Sequence, residues 1–279
     1  MSTVPIAPPS QSLAHRFSLP TFLLVTLLGG WVAVTPLWLF GGNAALGIAG
    51  MAMMSTPALG VLAARRRGVR FRDLAHATGL TLGPRRTRTI AVAIAVLLGL
   101  PALAGIAIAI AAGSGLATLN PGMSGALLAV VMTPLTTFLM VPTAFGEEWG
   151  WRGLLLPHLM ERHSRRKAIV VTGLIWCVWH APLGLFFGAS APLYFIPLSA
   201  MFMVFAGPVS WARLATGSVW PAVLAHAGLN ASAATLFTSL SSGATPADIG
   251  IGAVVGMALW AAALLLTTAI LFRTKHQHP

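Results

Sequence analysis

Charge is scarce in this chain: only 8% of its 279 residues are Asp, Glu, Lys or Arg, and only five of those are acidic. A water-soluble domain carries about 25% charged residues. With 57% hydrophobic residues and a mean hydropathy of +0.84, too little polar material remains to coat a water-facing surface. A soluble globular protein is excluded, and lipid is the expected solvent. The single cysteine, Cys177, excludes an internal disulfide. The sequence also lacks a soluble domain, a low-complexity tail and a fixed-period repeat. It has no His-Glu-x-x-His motif, which leaves a conventional zincin unsupported.

The charge that is present is mostly basic, giving a net +12, and it falls into short clusters between apolar runs. These are Arg65, Arg66, Arg67, Arg70 and Arg72; Arg85, Arg86 and Arg88; Arg162, Arg165, Arg166 and Lys167; and Arg273 with Lys275. Such clusters mark topology rather than a nucleic-acid interface, so no nucleic-acid partner is expected. A span needs about 20 mostly apolar residues. The candidates are Thr21–Phe40, Ala45–Ala64, Thr89–Ala112, a longer stretch Met123–Met160, Ala168–Phe187, Leu193–Arg213, Val219–Leu240 and Ile249–Phe272. Pro134 and Pro142 are expected to break or kink the longer stretch. The first run is too long for a signal-peptide core and reads as a retained span. Both termini in the cytoplasm would put every basic cluster inside and leave the outer connections without Lys or Arg.

The expected fold is therefore an all-α polytopic bundle of about eight transmembrane helices. A flexible segment, 1–19, precedes a single membrane domain, 20–272, and a short tail, 273–279, follows it. Membrane lipids are the surrounding partner, with anionic head groups touching Arg65–Arg88. The Ala-, Gly- and Arg-rich composition points to a bacterial cytoplasmic membrane.

Two carboxylates stand where charge should not be. Glu147 and Glu148 lie between the apolar runs Phe138–Gly146 and Trp149–Met160. An ionisable group at membrane depth costs at least ~2.5–3.5 kcal/mol and is a functional candidate by default. Desolvation and like-charge repulsion both work against an adjacent pair. Arg152, four residues after Glu148, is placed to neutralise it. Glu147 points about 100° away and is left without an intrahelical partner. A buried ion pair that fixes helix packing explains Glu148 and Arg152 but not Glu147.

Two histidines, His180 and His226, lie inside other apolar runs, and Asn230 follows His226 by four residues, on the same face. Either histidine alone would more often be an interhelical hydrogen-bonding group than a catalyst. Their depth changes the weighing. Glu147 stands fifteen residues from Arg162, His180 thirteen from Lys167 and His226 thirteen from Arg213. At helical rise this places all three roughly 20 Å from the inner charged ring. Glutamate and histidine around one water form a hydrolytic set, with Asn or a second His for the oxyanion. The same side chains can hold a zinc ion that activates water.

Glu147-Glu148-Trp-Gly-Trp-Arg152, then Trp176-x-x-x-His180, then His226-x-x-x-Asn230 resembles the CPBP family, the CAAX proteases and bacteriocin-processing enzymes. That family includes type II prenyl-protein endopeptidases and bacterial Abi-type proteins. The resemblance covers the last four to five spans, with a core at about 123–240. It implies an intramembrane endopeptidase in which Glu147 and His180 activate water and His226 and Asn230 stabilise the oxyanion. Glu148, Arg152 and Trp176 support them. The family is usually classed as metalloprotease, and a metal-free glutamate mechanism has also been argued for it. Zn2+ or another divalent ion on Glu147, His180 and His226 therefore stays open beside the metal-free route. The second motif usually opens with Phe, and here Trp176 takes its place. The implied substrate is a membrane-associated protein or peptide, prenylated or transmembrane, and bacterial members often have no prenylated substrate.

Competing readings remain. Gly122-Met-Ser124-Gly125 matches the Gly-x-Ser-Gly of a rhomboid-like serine protease, with His180 or His226 as base, but leaves both glutamates without a role. A transporter predicts an inverted repeat, and the polar residues are instead confined to the second half. An immunity-type protein could keep the fold without hydrolysis. Gly252-x-x-x-Gly256 reads as a helix-contact surface, and His158 and His163 as solvated groups near the inner face.

Overall fold

The computed structural model describes residues 13–115, 117–120, 122–186, 191–240 and 251–273. Among the described residues the chain is helical, with one isolated bridge between Phe17 and Arg65. The order is α1 (Leu13–Arg16), α2 (Leu19–Ala33), α3 (Thr35–Phe40), α4 (Gly42–Ala64), α5 (Phe71–Thr78) and α6 (Arg86–Gly113). There follow α7 (Met123–Glu148), a π-helical segment (Trp149–Leu155), α8 (Leu156–Met160), α9 (Arg165–Phe186), α10 (Ala191–Thr216), α11 (Trp220–Leu240) and α12 (Ile251–Arg273).

Helices stand at all eight expected positions. Among the described residues, four runs are long and apolar enough to cross a membrane: Leu19–Phe40, Gly47–Ala64, Arg86–Gly113 and Met123–Met160. Their outward faces are apolar at helical spacing. Leu24, Leu28 and Val32 of α2, Ile90, Ile94 and Leu98 of α6, and Leu128, Leu135 and Leu139 of α7 are all exposed. A protein in water does not present such continuous greasy stripes. This is an integral membrane protein.

The expected break at Pro134 and Pro142 is absent. Both prolines lie inside α7, which runs uninterrupted from Met123 to Glu148. In hydrocarbon an opened backbone would meet no water, so the helix persists through proline. The N-terminal segment also departs from expectation. Residues 1–12 and 274–279 lie outside the described residues, yet Leu13–Arg16 form a helix and Phe17 is buried. The Leu13 amide donates to the Glu161 carboxylate, and Ser18 Oγ caps α2 by accepting from the Thr21 amide. Of the outer connections, 188–190 and 241–250 fall outside the described residues.

What positions the site is a close crossing of α7 on α4. A Cβ at Gly146 would strike the Met54 carbonyl, and one at Gly150 would strike Pro57. Hydrogen at these positions lets the two backbones touch, which is how membrane helices gain contact without a hydrophobic driving force. On its other side α7 packs along α11, where the Thr133 and Thr235 hydroxyls share a hydrogen bond of 2.8 Å. Gly256 of α12 sits against Leu240 and Ala111, consistent with the contact surface expected there.

Candidate active site

The site begins where α7 changes register. The Leu156 amide bonds to the Trp151 carbonyl, five residues back, so the backbone widens into a π turn over Trp149–Leu155. Pro157 explains the change. It has no N–H to give to the preceding turn, so the α ladder cannot continue through it. The Arg152 carbonyl is then without a backbone donor in either register, because Leu156 is committed to Trp151 and Pro157 cannot donate. Arg213 of α10 supplies the missing donor, Nε to the Arg152 oxygen at 3.0 Å.

Glu147 and Glu148, the last two residues of α7, are both buried. Glu147 Oε2 accepts from two indoles, Trp176 Nε1 at 2.7 Å and Trp151 Nε1 at 3.3 Å. The expectation that Glu147 has no intrahelical partner is therefore corrected: Trp151 is one turn away and donates. A search limited to charged partners misses a neutral N–H donor. Glu148 Oε1 receives Arg152 Nη1 and His226 Nδ1, each at 2.8 Å, so the expected Glu148–Arg152 pair is present and extended by a histidine.

Trp176 of α9 stands at the centre. Its Nε1 holds Glu147, its face carries the Arg152 guanidinium at 4.7 Å, and its ring meets those of His226 and His180 at 5.2 and 5.8 Å. Its aromatic bulk was legible as support; its hydrogen bond to the acid was not. His180, one turn further along α9, gives Nδ1–H to the Trp176 carbonyl at 2.9 Å and stacks on Phe202 at 4.0 Å. A carbonyl can only accept, so the neutral ring leaves its Nε2 lone pair free. Trp179 pins this stretch of α9 to the first half of the chain, donating to Thr56 Oγ1 at 3.2 Å, while that hydroxyl is shared between the carbonyls of Met53 at 2.8 Å and Thr26 at 3.2 Å.

The side chains of Glu147, Glu148, Arg152, His180 and His226 thus gather around one indole. Asn230 lies one turn beyond His226 and is partly exposed. Ser124 sits exposed in the first turn of α7, at the far end of that helix from Glu147. His158, expected to be solvated, is 9% exposed in α8, whereas His163 is exposed. Among the described residues no three of His, Cys, Asp and Glu form a group able to hold a metal ion. Glu147 Oε2 is taken by two indoles and His226 Nδ1 by Glu148, which leaves Glu147 Oε1 and the Nε2 atoms of His180 and His226 as the remaining donors.

Sequence reasoning missed Phe202 and the role of Arg213, and it read Trp151 as a packing or anchoring residue near the site. The spacing of Trp151 from Glu147 was a usable signal. Arg213 was counted with the inner basic ring, and nothing in its neighbourhood distinguishes it until α10 is placed beside the π turn.

Known proteins agree with this location. Residues 126–232 match the family model described as type II CAAX prenyl endopeptidase Rce1-like. A stretch of 46 residues is 44% identical to the CAAX prenyl protease 2 of Methanococcus maripaludis. That stretch is 16% of this chain and covers only 17% of the relative. The family match spans every one of the motif residues, Glu147 through Asn230. Over residues 126–232 the chain is similar to the type II CAAX prenyl endopeptidase Rce1-like family.

Proposed function

We propose that this protein is an intramembrane endopeptidase that hydrolyses a peptide bond of a membrane-associated or lipidated protein or peptide. One observation carries the reading: a carboxylate–imidazole network is buried among membrane helices, within the segment that matches a protease family. Nothing in a purely structural bundle calls for two carboxylates and two imidazoles around one indole.

In the proposed mechanism both indoles bind Glu147 Oε2, which leaves Oε1 to accept a proton from water. His180 Nε2 accepts the second O–H and aims the oxygen at the scissile carbonyl. The water oxygen bonds to the carbonyl carbon, and the oxyanion is met by His226 Nε2–H and Asn230. The imidazolium form of His226 is held by Glu148 at Nδ1, and Arg152 balances the charge. The oxyanion then re-forms the carbonyl as the C–N bond breaks, and Glu147 returns its proton to the leaving amine nitrogen. Both termini cytoplasmic would open this chemistry toward the inner leaflet of a bacterial cytoplasmic membrane.

A second reading rests on the 2.8 Å contact between Glu148 and His226. A carboxylate behind an imidazole orients a base, so His226 could deprotonate the water while Glu147 only ties two tryptophans together. The experiment that separates the two uses purified protein in liposomes with a panel of fluorogenic lipidated and transmembrane peptides. In the first reading Glu147→Gln abolishes cleavage. In the second it is tolerated, since a glutamine oxygen still accepts from both indoles, while His226→Ala abolishes it. No cleavage of any peptide by the wild-type chain would sink both.

A further inference from the structure

We propose that Arg213 is a positioning residue for the site, acting through the π turn that carries Arg152. The kinetic half of this inference rests on the endopeptidase reading; the structural half does not. Pro157 removes the backbone donor that the Arg152 carbonyl would use, and the Leu156 amide is already bonded to Trp151. The orphaned oxygen lies at the root of the side chain that holds Glu148 at 2.8 Å. Left bare in an apolar interior, a carbonyl draws the backbone toward any donor it can reach, so the turn would shift and the Glu148 contact with it.

Arg213 closes that gap from another helix. Its side chain is only 9% exposed, and its Nε donates to the Arg152 oxygen at 3.0 Å. The fit is made by a glycine: a Cβ at Gly79 would lie 2.8 Å from the Arg213 guanidinium carbon and Nη2. Gly79 caps α5 in the left-handed region, φ 75°, where a side chain is disfavoured anyway. Three sequence features separated along the chain thus converge: a proline that opens the turn, an arginine that satisfies it, and a glycine that admits the arginine. A charge brought to this depth is not needed for topology, because exposed Arg165, Arg166 and Lys167 already mark that side.

The logic makes Pro157 and Arg213 interdependent. An alanine at 157 supplies the missing N–H, so the arginine should then become dispensable. The test uses the full chain in lipid nanodiscs as wild type, R213A, R213Q, P157A and P157A/R213A. Hydrogen–deuterium exchange reads the amides of 153–158, and steady-state kinetics separate kcat from KM on whichever peptide the wild type cleaves. R213A should raise exchange at Leu155 and Leu156 and lower kcat roughly 10- to 100-fold with KM little changed, the size of one charged hydrogen bond. R213Q, which keeps an N–H donor, should lose less than R213A and guards against simple misfolding. In the P157A background the same arginine deletion should change exchange and kcat by less than about threefold. Equal losses in the two backgrounds, or unchanged exchange in R213A, would overturn the proposal. A wild type that cleaves nothing would count against the endopeptidase reading alone, and the exchange comparison would still decide the role of Arg213.

Discussion

The two halves of this bundle solve different problems with the same building material. Leu19–Phe40, Gly42–Ala64 and Thr89–Gly113 contain no Asp, Glu, Lys, Arg or His. They offer backbone carbonyls, small residues and one key hydroxyl, that of Thr56. The second half, α7 to α11, concentrates two carboxylates, two imidazoles and the Arg152 guanidinium around a single indole, with the buried Arg213 bonded to the Arg152 carbonyl. The apolar half is thus a template: α4 meets the glycine face of α7, and α2 and α4 together receive Trp179. Costly polar groups can be held at depth because an inexpensive neighbour fixes the helices that bear them.

Four interventions sharpen that division, and the largest falls on the carboxylate. Glu147→Gln should lower peptide cleavage by roughly 10²-fold or more, the contribution of a general base. Its thermal midpoint in detergent should stay near wild type, because both indole hydrogen bonds survive. Rapid cleavage by this variant would move the base to His226.

Arg152→Ala strips the counter-charge from Glu148 while leaving a buried carboxylate and His226 behind. Removing one partner of a buried pair costs roughly 3–5 kcal/mol, so the variant should be recovered poorly and unfold early in a thermal scan. Unchanged stability would mean the pair is far wetter than its burial indicates.

Template glycines form the next comparison. Gly150→Leu drives a side chain into Pro57 and should cost about 1–3 kcal/mol or more, with loss of the monodisperse species on gel filtration. A Cβ at Gly99 or Gly47 meets nothing within 4 Å, so Gly99→Leu and Gly47→Leu should behave like wild type. Equal tolerance at all three would dismiss the close crossing of α7 on α4.

The mildest change is Thr56→Val, which keeps shape but orphans the Trp179 N–H. It should cost roughly 1–3 kcal/mol and lower activity modestly, through the neighbouring His180.

Much of this was readable in the chain. Hydropathy and the placement of arginines located the helices, since transfer into lipid depends on composition over about 20 residues and hardly on order. The Glu148–Arg152 pair followed from i,i+4 geometry. What failed was instructive. Of the break or kink expected at Pro134 and Pro142, the break does not occur, because a backbone opened in lipid would meet no water. His158 was judged by its distance from the inner charges, yet the packing of α8 buries it.

By itself the sequence determined the solvent, the helical class and which rare polar groups had to be accounted for, because a charge in hydrocarbon is conspicuous wherever it sits. Only the tertiary structure decided the pairing: Glu147 to Trp176 across 29 residues, Glu148 to His226 across 78, and Arg213 to the Arg152 carbonyl across 61. Two adjacent carboxylates are chemically alike, and a turn of about 100° sends one to the indoles and the other to the histidine. Which neighbour waits there depends on helix crossings set by glycines, and those contacts leave no periodicity to read.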